Sequence, residues 1–255
     1  MGSEPALDRA LTAVARVPRL LVACDYDGTL SPIVANPQDA RPLPAAADAL
    51  SAIAELPATT AVLVSGRARA DLARLSGMPG TVQLVGSHGS EFDTGFASAI
   101  DAAAATLLAQ ITAALTAIAA EFPGATIEVK PASVALHVRN AEPADADTAL
   151  STARAIAEGR AVHVTAGKAV LEFAVIDTDK GHAVDVLRER HDASAVVYLG
   201  DDVTDEKAFR RLRGPDIGVK VGPGETQARY RVDAPEDVAA ALSLLLSARR
   251  GWLSS

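Results

Sequence analysis

The segment "RLLVACDYDGT" limits how this chain can fold more than any other feature, because an apolar run leads directly into two carboxylates. Leu20–Cys24 carries no charge, which is typical of a strand buried on both faces of a parallel sheet. Asp25 and Asp27 follow at once, although Asp is disfavoured in strands and costly to desolvate. Open parallel sheets bind ligands at the carboxyl ends of their strands, so we expect both carboxylates to face a site there.

Short apolar runs recur along the chain and alternate with segments of helical periodicity. The runs that follow Cys24 are "TTAVLV", "TVQLV", "AVVYLG" and "DIGVKVG". This order predicts an α/β protein with a Rossmann-like, doubly wound parallel sheet and helices on both faces. A last helix is predicted from Pro235, and the tail "RRGWLSS" is interpreted as a frayed end whose Trp252 packs back on the core.

The middle of the chain has a different pattern, in which strands come in close pairs. "ATIEVK" is followed by "SVALHVR", and "AVHVT" by "KAVLEFAV", and a helical segment precedes each pair. Such pairs predict a small antiparallel sheet with helices on one side. We therefore predict a core formed by residues 1–96 and 176–255, split by an inserted α+β cap at residues 97–175.

One uncharged segment, Ala102–Ala120, approaches the length of a membrane span. Its larger apolar residues, such as Leu107, Ile111 and Leu115, recur at intervals of three to four. This spacing predicts an amphipathic helix that lies on a protein core, and we expect no membrane partner.

The charge and cysteine content narrow the classes of function. The formal net charge of −8 disfavours binding to nucleic acid and to anionic membranes. Cys24 is the one cysteine of the sequence, so an internal disulfide is excluded and a reducing, cytoplasmic location is expected.

Polar signatures follow four of the predicted core strands: "DYDGT", "SGR", "GSHG" and "GDDVTDE". An ordinary turn would explain any one of them, since Asp, Gly and Ser are common in turns. Their occurrence at four strand ends favours a shared site. Asp25, Asp27, Asp201 and Asp202 would make that site strongly acidic, and Mg²⁺ is the natural counter-charge because it prefers oxygen ligands.

A phosphate group bound beside this cation would need hydrogen-bond donors and positive charge. Ser65 offers a hydroxyl, Lys180 opens a predicted helix, and the turn through Gly28 and Thr29 offers backbone N–H groups. One of the paired carboxylates could attack phosphorus, while the other donates a proton to the leaving oxygen and then activates water.

The motifs "DYDGT", the lone Ser65, Lys180 and "GDDVTDE" resemble the four signatures of the haloacid-dehalogenase superfamily of phosphatases. The longer strings "DYDGTLSPI", "VSGR", "GSHGSE", "DKGHAV" and "LGDDVTDEKAF" resemble its trehalose-6-phosphate phosphatase family, from Leu20 onward. The resemblance implies hydrolysis of trehalose 6-phosphate to trehalose and phosphate through an aspartyl-phosphate. It also implies functional coupling to a trehalose-6-phosphate synthase.

The resemblance further implies the roles of individual residues. Asp25 would be the nucleophile and Asp27 the general acid and base, with Ser65 and Lys180 binding the transferred phosphoryl group. Asp25, the backbone carbonyl of Asp27 and Asp201 would hold Mg²⁺. Asp202 and Asp205 would tune the metal site from outside its ligand shell.

Substrate contacts are expected from the core and from the cap. Those expected from the core are Thr29, Gly66, Arg67, His88 and Glu91. Those expected from the polar face of the cap sheet are Lys130, His137, Arg139, Lys168 and Glu172. Two positions depart from the family pattern: Val138 replaces an aromatic residue between the His and the Arg, and "FAV" follows Glu172 where a basic residue and proline are usual.

Three other functions stay open at this point. The chain could hydrolyse another sugar phosphate, such as sucrose phosphate or a glycosyl-phosphoglycerate. A non-catalytic sugar-phosphate sensor would be expected to lack the nucleophile or the acid/base residue, and both are present here. A phospho-accepting receiver domain is disfavoured by the large insert and by the second carboxylate, Asp27.

Overall fold

The computed structural model describes residues 5–96 and 100–255. It divides into two compact units, one formed by the described residues up to Gly95 with Asp179–Ser255, and the other by Phe96–Thr178. The predicted first boundary, at Ala97, lies outside the described residues. The predicted second boundary, at Val175, lies shortly before Thr178.

The helices and strands alternate through most of the chain. The strands are β1 Leu20–Cys24, β2 Thr59–Val64, β3 Gln83–Val85, β4 Glu91–Phe92, β5 Gly95–Phe96, β6 Thr126–Lys130, β7 Ser133–His137, β8 His163–Gly167, β9 Val170–Ala174, β10 Ala195–Gly200, β11 Ile217–Val221 and β12 Tyr230–Val232. The helices are α1 Pro5–Val14, α2 Pro44–Ala54, α3 Arg69–Ser76, α4 Ala102–Glu121, α5 Pro143–Ala155, α6 Lys180–Arg190, α7 Asp205–Phe209 and α8 Pro235–Leu253.

The first unit is built on a six-stranded sheet in the order β12-β11-β10-β1-β2-β3, and all neighbouring strands are parallel. Strand order reverses between β1 and β10, which pair from Leu20 with Ala195 to Cys24 with Leu199. A crevice for ligands forms outside the carboxyl ends of strands at such a switch point. The predicted doubly wound α/β class is confirmed.

Both faces of this sheet are covered by helices. Alternate residues of each strand point to opposite faces and so pack against different helices. Val22 and Cys24 of β1 belong to a core cluster that also contains residues of α1, α2 and α8. Helices α6 and α7 pack together, and they contact β1 and β10, respectively. Asp25 continues the alternation of Leu21 and Ala23, so its side chain lies on the α6 side.

Two sequence interpretations of this unit were wrong. Strand β12 was not predicted because it has three residues, with Arg231 in the middle, which are too few for a periodic signal. The tail is helical rather than frayed, since α8 runs to Leu253. Its Trp252 ring lies 4.8 Å from the guanidinium of Arg249, so the last turn is packed.

The second unit is an antiparallel sheet in the order β6-β7-β9-β8 with α4 and α5 on one face. Val134, Leu136, Leu171 and Phe173 form its core with these helices. Within the described residues one helix, α4, is long and apolar enough to cross a bilayer. Its buried residues Ile111, Leu115 and Ile118 belong to this core, as expected for an amphipathic helix on a protein core.

Arg249 of α8 generates a prediction about stability. Its side chain is fully buried and donates to the backbone oxygens of Ala15 (2.9 Å) and Ala58 (2.9 Å), to those of Val17 and Pro18, and to the Thr59 hydroxyl (3.0 Å). We expect Arg249→Met to lower the free energy of unfolding by about 3 kcal/mol, because buried carbonyls lose their donor.

Urea denaturation would measure this loss. Arg250→Met is the matched control, because Arg250 is the neighbouring, exposed arginine of the same helix. A similar midpoint for both variants would contradict the structural role assigned to Arg249.

Candidate active site

Asp25 lies at the point where β1 leaves the sheet. Its backbone N–H donates to the Leu199 carbonyl at 2.9 Å, so the ladder to β10 continues one residue past the strand. Its side chain is 6% exposed. The central position in the sheet therefore holds this carboxylate rigidly and largely out of water.

Lys180 is the first residue of α6 and reaches the same place. The Asp179 carboxylate caps the helix by accepting a hydrogen bond from the His182 N–H at 2.9 Å. The buried Lys180 ammonium lies 2.7 Å from Asp25 Oδ1 and 2.8 Å from Asp205 Oδ1. Burial alone would lower the pKa of Lys180, but the two carboxylates outweigh it and raise that pKa, so the ammonium stays charged.

Asp205 opens α7 and is completely buried. Its Oδ1 accepts hydrogen bonds from Lys180 and from the Tyr198 hydroxyl, each at 2.8 Å. Its Oδ2 accepts from the backbone N–H groups of Asp201 (3.1 Å) and Asp202 (3.0 Å). Asp205 thus fixes the loop that carries Asp201 and orients Lys180.

The turn after Asp25 packs directly on the Asp201 carboxylate. Gly28 has φ +84°, and a Cβ at this position would lie 2.1 Å from Asp201 Oδ2, so both conformation and space require glycine. The Gly28 N–H donates to the Ser31 carbonyl at 2.7 Å and closes the turn. The Thr29 hydroxyl lies 3.5 Å from Asp201 Oδ1, which places Thr29 beside the acidic group.

Three carboxylates of this site could share a cation. Oxygens of Asp25, Asp201 and Asp205 lie within 4.8 Å of one another. Burial and neighbouring carboxylates raise the pKa of Asp25 well above its ordinary value, against the opposing effect of Lys180. Burial, followed by Asp205, raises the pKa of Asp201 to about 6. An all-oxygen donor set with excess negative charge fits a hard divalent cation such as Mg²⁺.

Asp27 and Ser65 are linked through Arg67. The Arg67 guanidinium binds Asp27 with both ends of its fork, Nε to Oδ2 at 2.7 Å and Nη2 to Oδ1 at 2.6 Å. The Arg67 N–H donates to Ser65 Oγ at 3.2 Å, and Ser65 is buried at the end of β2. Arg67 was expected to contact the substrate, whereas in the structure it contacts Asp27, the acid/base candidate.

The "GSHG" turn follows β3 in an unusual backbone conformation. Ser87 and His88 both have positive φ, 49° and 55°, which is strained for residues with a side chain and is often associated with functional sites. The His88 ring packs on Gly66, where a Cβ would lie 2.4 Å from its Cε1 atom. Glu91 Oε2 accepts a hydrogen bond from the Arg69 N–H at 2.8 Å and so caps the start of α3. The N-cap residue itself, Ala68, has no side-chain acceptor.

In the second unit, the polar face of the sheet carries a charged cluster. Lys130 and Glu172 are both nearly buried and form an ion pair of 3.0 Å, and Glu172 Oε1 also accepts from the Ser133 hydroxyl at 2.6 Å. His137 bonds to Glu128 at 3.1 Å. That hydrogen bond, with smaller effects of Lys130 and the His137 charge, lowers the pKa of Glu128.

Two expected members of that cluster lie outside the strands. Arg139 follows the end of β7, and Lys168 lies in the tight turn between β8 and β9, where the next residue, Ala169, has φ +59°. Both side chains are exposed. The predicted strands "SVALHVR" and "KAVLEFAV" were therefore too long at these ends.

Tyr198 and Lys220 contact the acidic group, but neither was predicted as a site residue. Tyr198 donates to Asp205, and the buried Lys220 donates to the backbone carbonyls of Asp201 and Val221, the latter at 3.0 Å. Both are polar residues near the carboxyl end of an otherwise apolar strand, "AVVYLG" and "DIGVKVG". That pattern is the signal that would have identified them.

Comparison with known proteins identifies the family of this chain. The family model described as Trehalose-phosphatase matches residues 23–236. A trehalose-phosphate phosphatase of Mycobacterium avium is 38% identical over 83% of this chain, which spans 58% of that protein. An uncharacterized glycosyl hydrolase of Mycobacterium tuberculosis is 34% identical over 92% of this chain, which spans 19% of that protein.

Among solved structures, the C-terminal domain of the Candida albicans trehalose-6-phosphate phosphatase superposes with a TM-score of 0.81. The match covers 97% of this chain and 98% of that one at 24% identity, which establishes a shared fold. The family model covers most of the chain, including the acidic loops after β1 and β10. The chain therefore belongs to the trehalose-phosphatase family.

Proposed function

We propose that this protein is a Mg²⁺-dependent phosphatase that hydrolyses trehalose 6-phosphate to trehalose and phosphate through an aspartyl-phosphate. One observation carries the proposal: Asp25 lies against the buried Lys180 ammonium and beside Asp201, at the switch point of the sheet. Membership of the trehalose-phosphatase family supports the choice of substrate.

In the first step, an Asp25 carboxylate oxygen attacks phosphorus and the bond from phosphorus to the sugar oxygen breaks. The departing oxygen keeps the bonding electron pair and takes a proton from the Asp27 carboxyl. Lys180, held by Asp25 and Asp205, places a fixed positive charge next to the transferred group. The Ser65 hydroxyl supplies a further donor at the end of β2.

In the second step, water attacks phosphorus of the aspartyl-phosphate and gives its proton to Asp27. The bond from phosphorus to Asp25 breaks, so the carboxylate and the protonated Asp27 are both regenerated. Asp205 stays hydrogen-bonded and keeps Lys180 and the Asp201 loop in place during both steps.

Asp25, Asp201 and the backbone carbonyl of Asp27 would hold Mg²⁺, which when bound neutralises negative charge on the phosphoryl group. Asp205 is a poorer ligand, because its two oxygens already accept four hydrogen bonds. We assign Asp202 and Asp205 to supporting that site, Asp202 through its backbone N–H.

We assign recognition of the sugar to the second unit, as the cap of the enzyme. A disaccharide needs many hydrogen-bond partners, and one face of the sheet presents Lys130, Glu172, Glu128 and His137. Glu172 orients Lys130 through their 3.0 Å ion pair. Arg139 and Lys168 add exposed positive charge beyond the strand ends, and the core loops add Thr29, Gly66, His88 and Glu91.

The cellular setting is part of the same proposal. Trehalose 6-phosphate must be supplied by a synthase, so we place this chain in functional sequence with one, in trehalose biosynthesis. The fully buried thiol of Cys24 fits a reducing cytoplasm.

A panel of phosphate esters tests the activity. With Mg²⁺ we expect turnover of trehalose 6-phosphate to exceed that of sucrose 6-phosphate and glucose 6-phosphate, and chelation with EDTA to abolish it. Asp25→Asn should lower kcat by more than about 1000-fold, because phosphorus loses its nucleophile, while the melting temperature is kept.

Equal turnover of all three sugar phosphates would contradict the assigned substrate. Undiminished turnover by Asp25→Asn would instead contradict the assigned nucleophile.

The ion pair in the second unit generates a prediction about specificity. Glu172→Gln should lower kcat/KM for trehalose 6-phosphate about tenfold to a hundredfold, because Lys130 loses its charged partner. Turnover of 4-nitrophenyl phosphate, which has no sugar, should stay within about twofold. Glu121→Gln, an exposed change in the same unit, is the control; equal losses on both substrates would remove Glu172 from sugar recognition.

The raised pKa of Asp201 predicts how stability depends on pH. A carboxyl whose pKa rises on folding, here from 3.8 to about 6, costs the cation-free protein stability as pH increases through that window. At pH 7.5, Asp201→Asn should therefore raise the melting temperature of the cation-free protein by about 2–4 °C. Mg²⁺ should stabilise the wild type and not this variant.

Thermal melts with and without MgCl₂ measure both effects. Asp48→Asn, an exposed change on α2, should behave like the wild type. An intact Mg²⁺-dependent shift in Asp201→Asn would exclude Asp201 as a ligand.

A further inference from the structure

Arg67 holds the Asp27 carboxylate with two hydrogen bonds, 2.7 and 2.6 Å long, one to each oxygen. We propose that Arg67 is a positioning residue for Asp27: its fork sets the plane and direction of the carboxyl group that transfers protons. This inference rests on the proposed function, in which Asp27 is the general acid and base.

Both the side chain and the backbone of Arg67 are held by neighbouring residues. Its guanidinium carbon lies 5.7 Å from the centroid of the Tyr26 ring, and Tyr26 is fully buried with its hydroxyl donating to the Ala40 carbonyl at 3.2 Å. The Arg67 N–H donates to Ser65 Oγ, and the Arg67 carbonyl accepts from the Ser87 N–H at 2.7 Å. The guanidinium therefore packs against a buried ring, and the Arg67 backbone is tied to Ser65 and to the loop after β3.

Asp27 needs such a partner more than Asp25 does. The Asp27 side chain is 33% exposed, whereas Asp25 is 6% exposed and held by the sheet and by Lys180. A carboxylate near solvent can rotate, and misplacement by about 1 Å is enough to slow proton transfer strongly. The planar fork of arginine fixes the plane of a carboxylate, which the single ammonium of lysine cannot do.

Arg67 would influence the two proton transfers in which Asp27 takes part. In the first step a proton passes from Asp27 to the sugar oxygen as its bond to phosphorus breaks, and in the second step a proton passes from water to Asp27. The need for the first transfer depends on the leaving group, because a stable phenolate departs without protonation. A phosphate-binding residue would instead affect all esters alike.

The test uses aryl phosphates with graded leaving groups and so does not require activity on trehalose 6-phosphate. We expect Arg67→Met to lower kcat/KM, which reports the first step alone, about tenfold to a hundredfold for phenyl phosphate and less than about threefold for 2,4-dinitrophenyl phosphate. Arg67→Lys should be no better than Arg67→Met, because lysine cannot form the fork. In an Asp27→Asn background, Arg67→Met should cause little further loss on phenyl phosphate.

Arg74→Met, a change in an exposed arginine of α3, is the control and should leave all rates unchanged. Melting temperatures would show that the variants are folded. Equal losses on both esters, rescue by lysine, or a full additional loss in the Asp27→Asn background would each overturn the proposal. Failure of the wild type on trehalose 6-phosphate would overturn the assigned substrate and leave this result intact.

Discussion

The ionic contact of Lys180 with Asp25 and Asp205 is the interaction on which the site depends. All three side chains are almost completely buried. An unpaired charge would be costly in this interior. Loss of the ammonium would leave two buried carboxylates facing each other, which is strongly destabilising. The contact joins the end of β1 to the first turns of α6 and α7, so the fold and the candidate site share one electrostatic arrangement.

The positions of the polar groups at this site were predictable because these groups follow strand ends. Asp25, Ser65 and Asp201 each come directly after an apolar run, and the parallel sheet brings those ends to one edge. Lys180 was predictable from its place at the start of a helix. Strand β12 was not, since three residues are too few to carry a periodic signal.

The direction of individual side chains could not be predicted. Nothing in "VSGR" shows that the guanidinium of Arg67 turns to Asp27, and nothing in "GDDVTDE" shows that Asp205 accepts two backbone N–H groups from its own loop. In the second unit, alternation placed Lys130 and Glu172 on the polar face, but their ion pair depends on rotamers. Patterns of polarity predict which face a residue occupies, and tertiary packing decides its partner.

The lone thiol of Cys24 lies one residue before Asp25, in a central strand and fully inside the core. Burial raises the pKa of this thiol far above its ordinary value, so thiolate-directed alkylating agents and peroxides find almost no reactive sulfur in the native protein. Modification then requires the central strands to separate. The rate at which a thiol reagent labels this protein consequently measures how often the sheet opens beside Asp25.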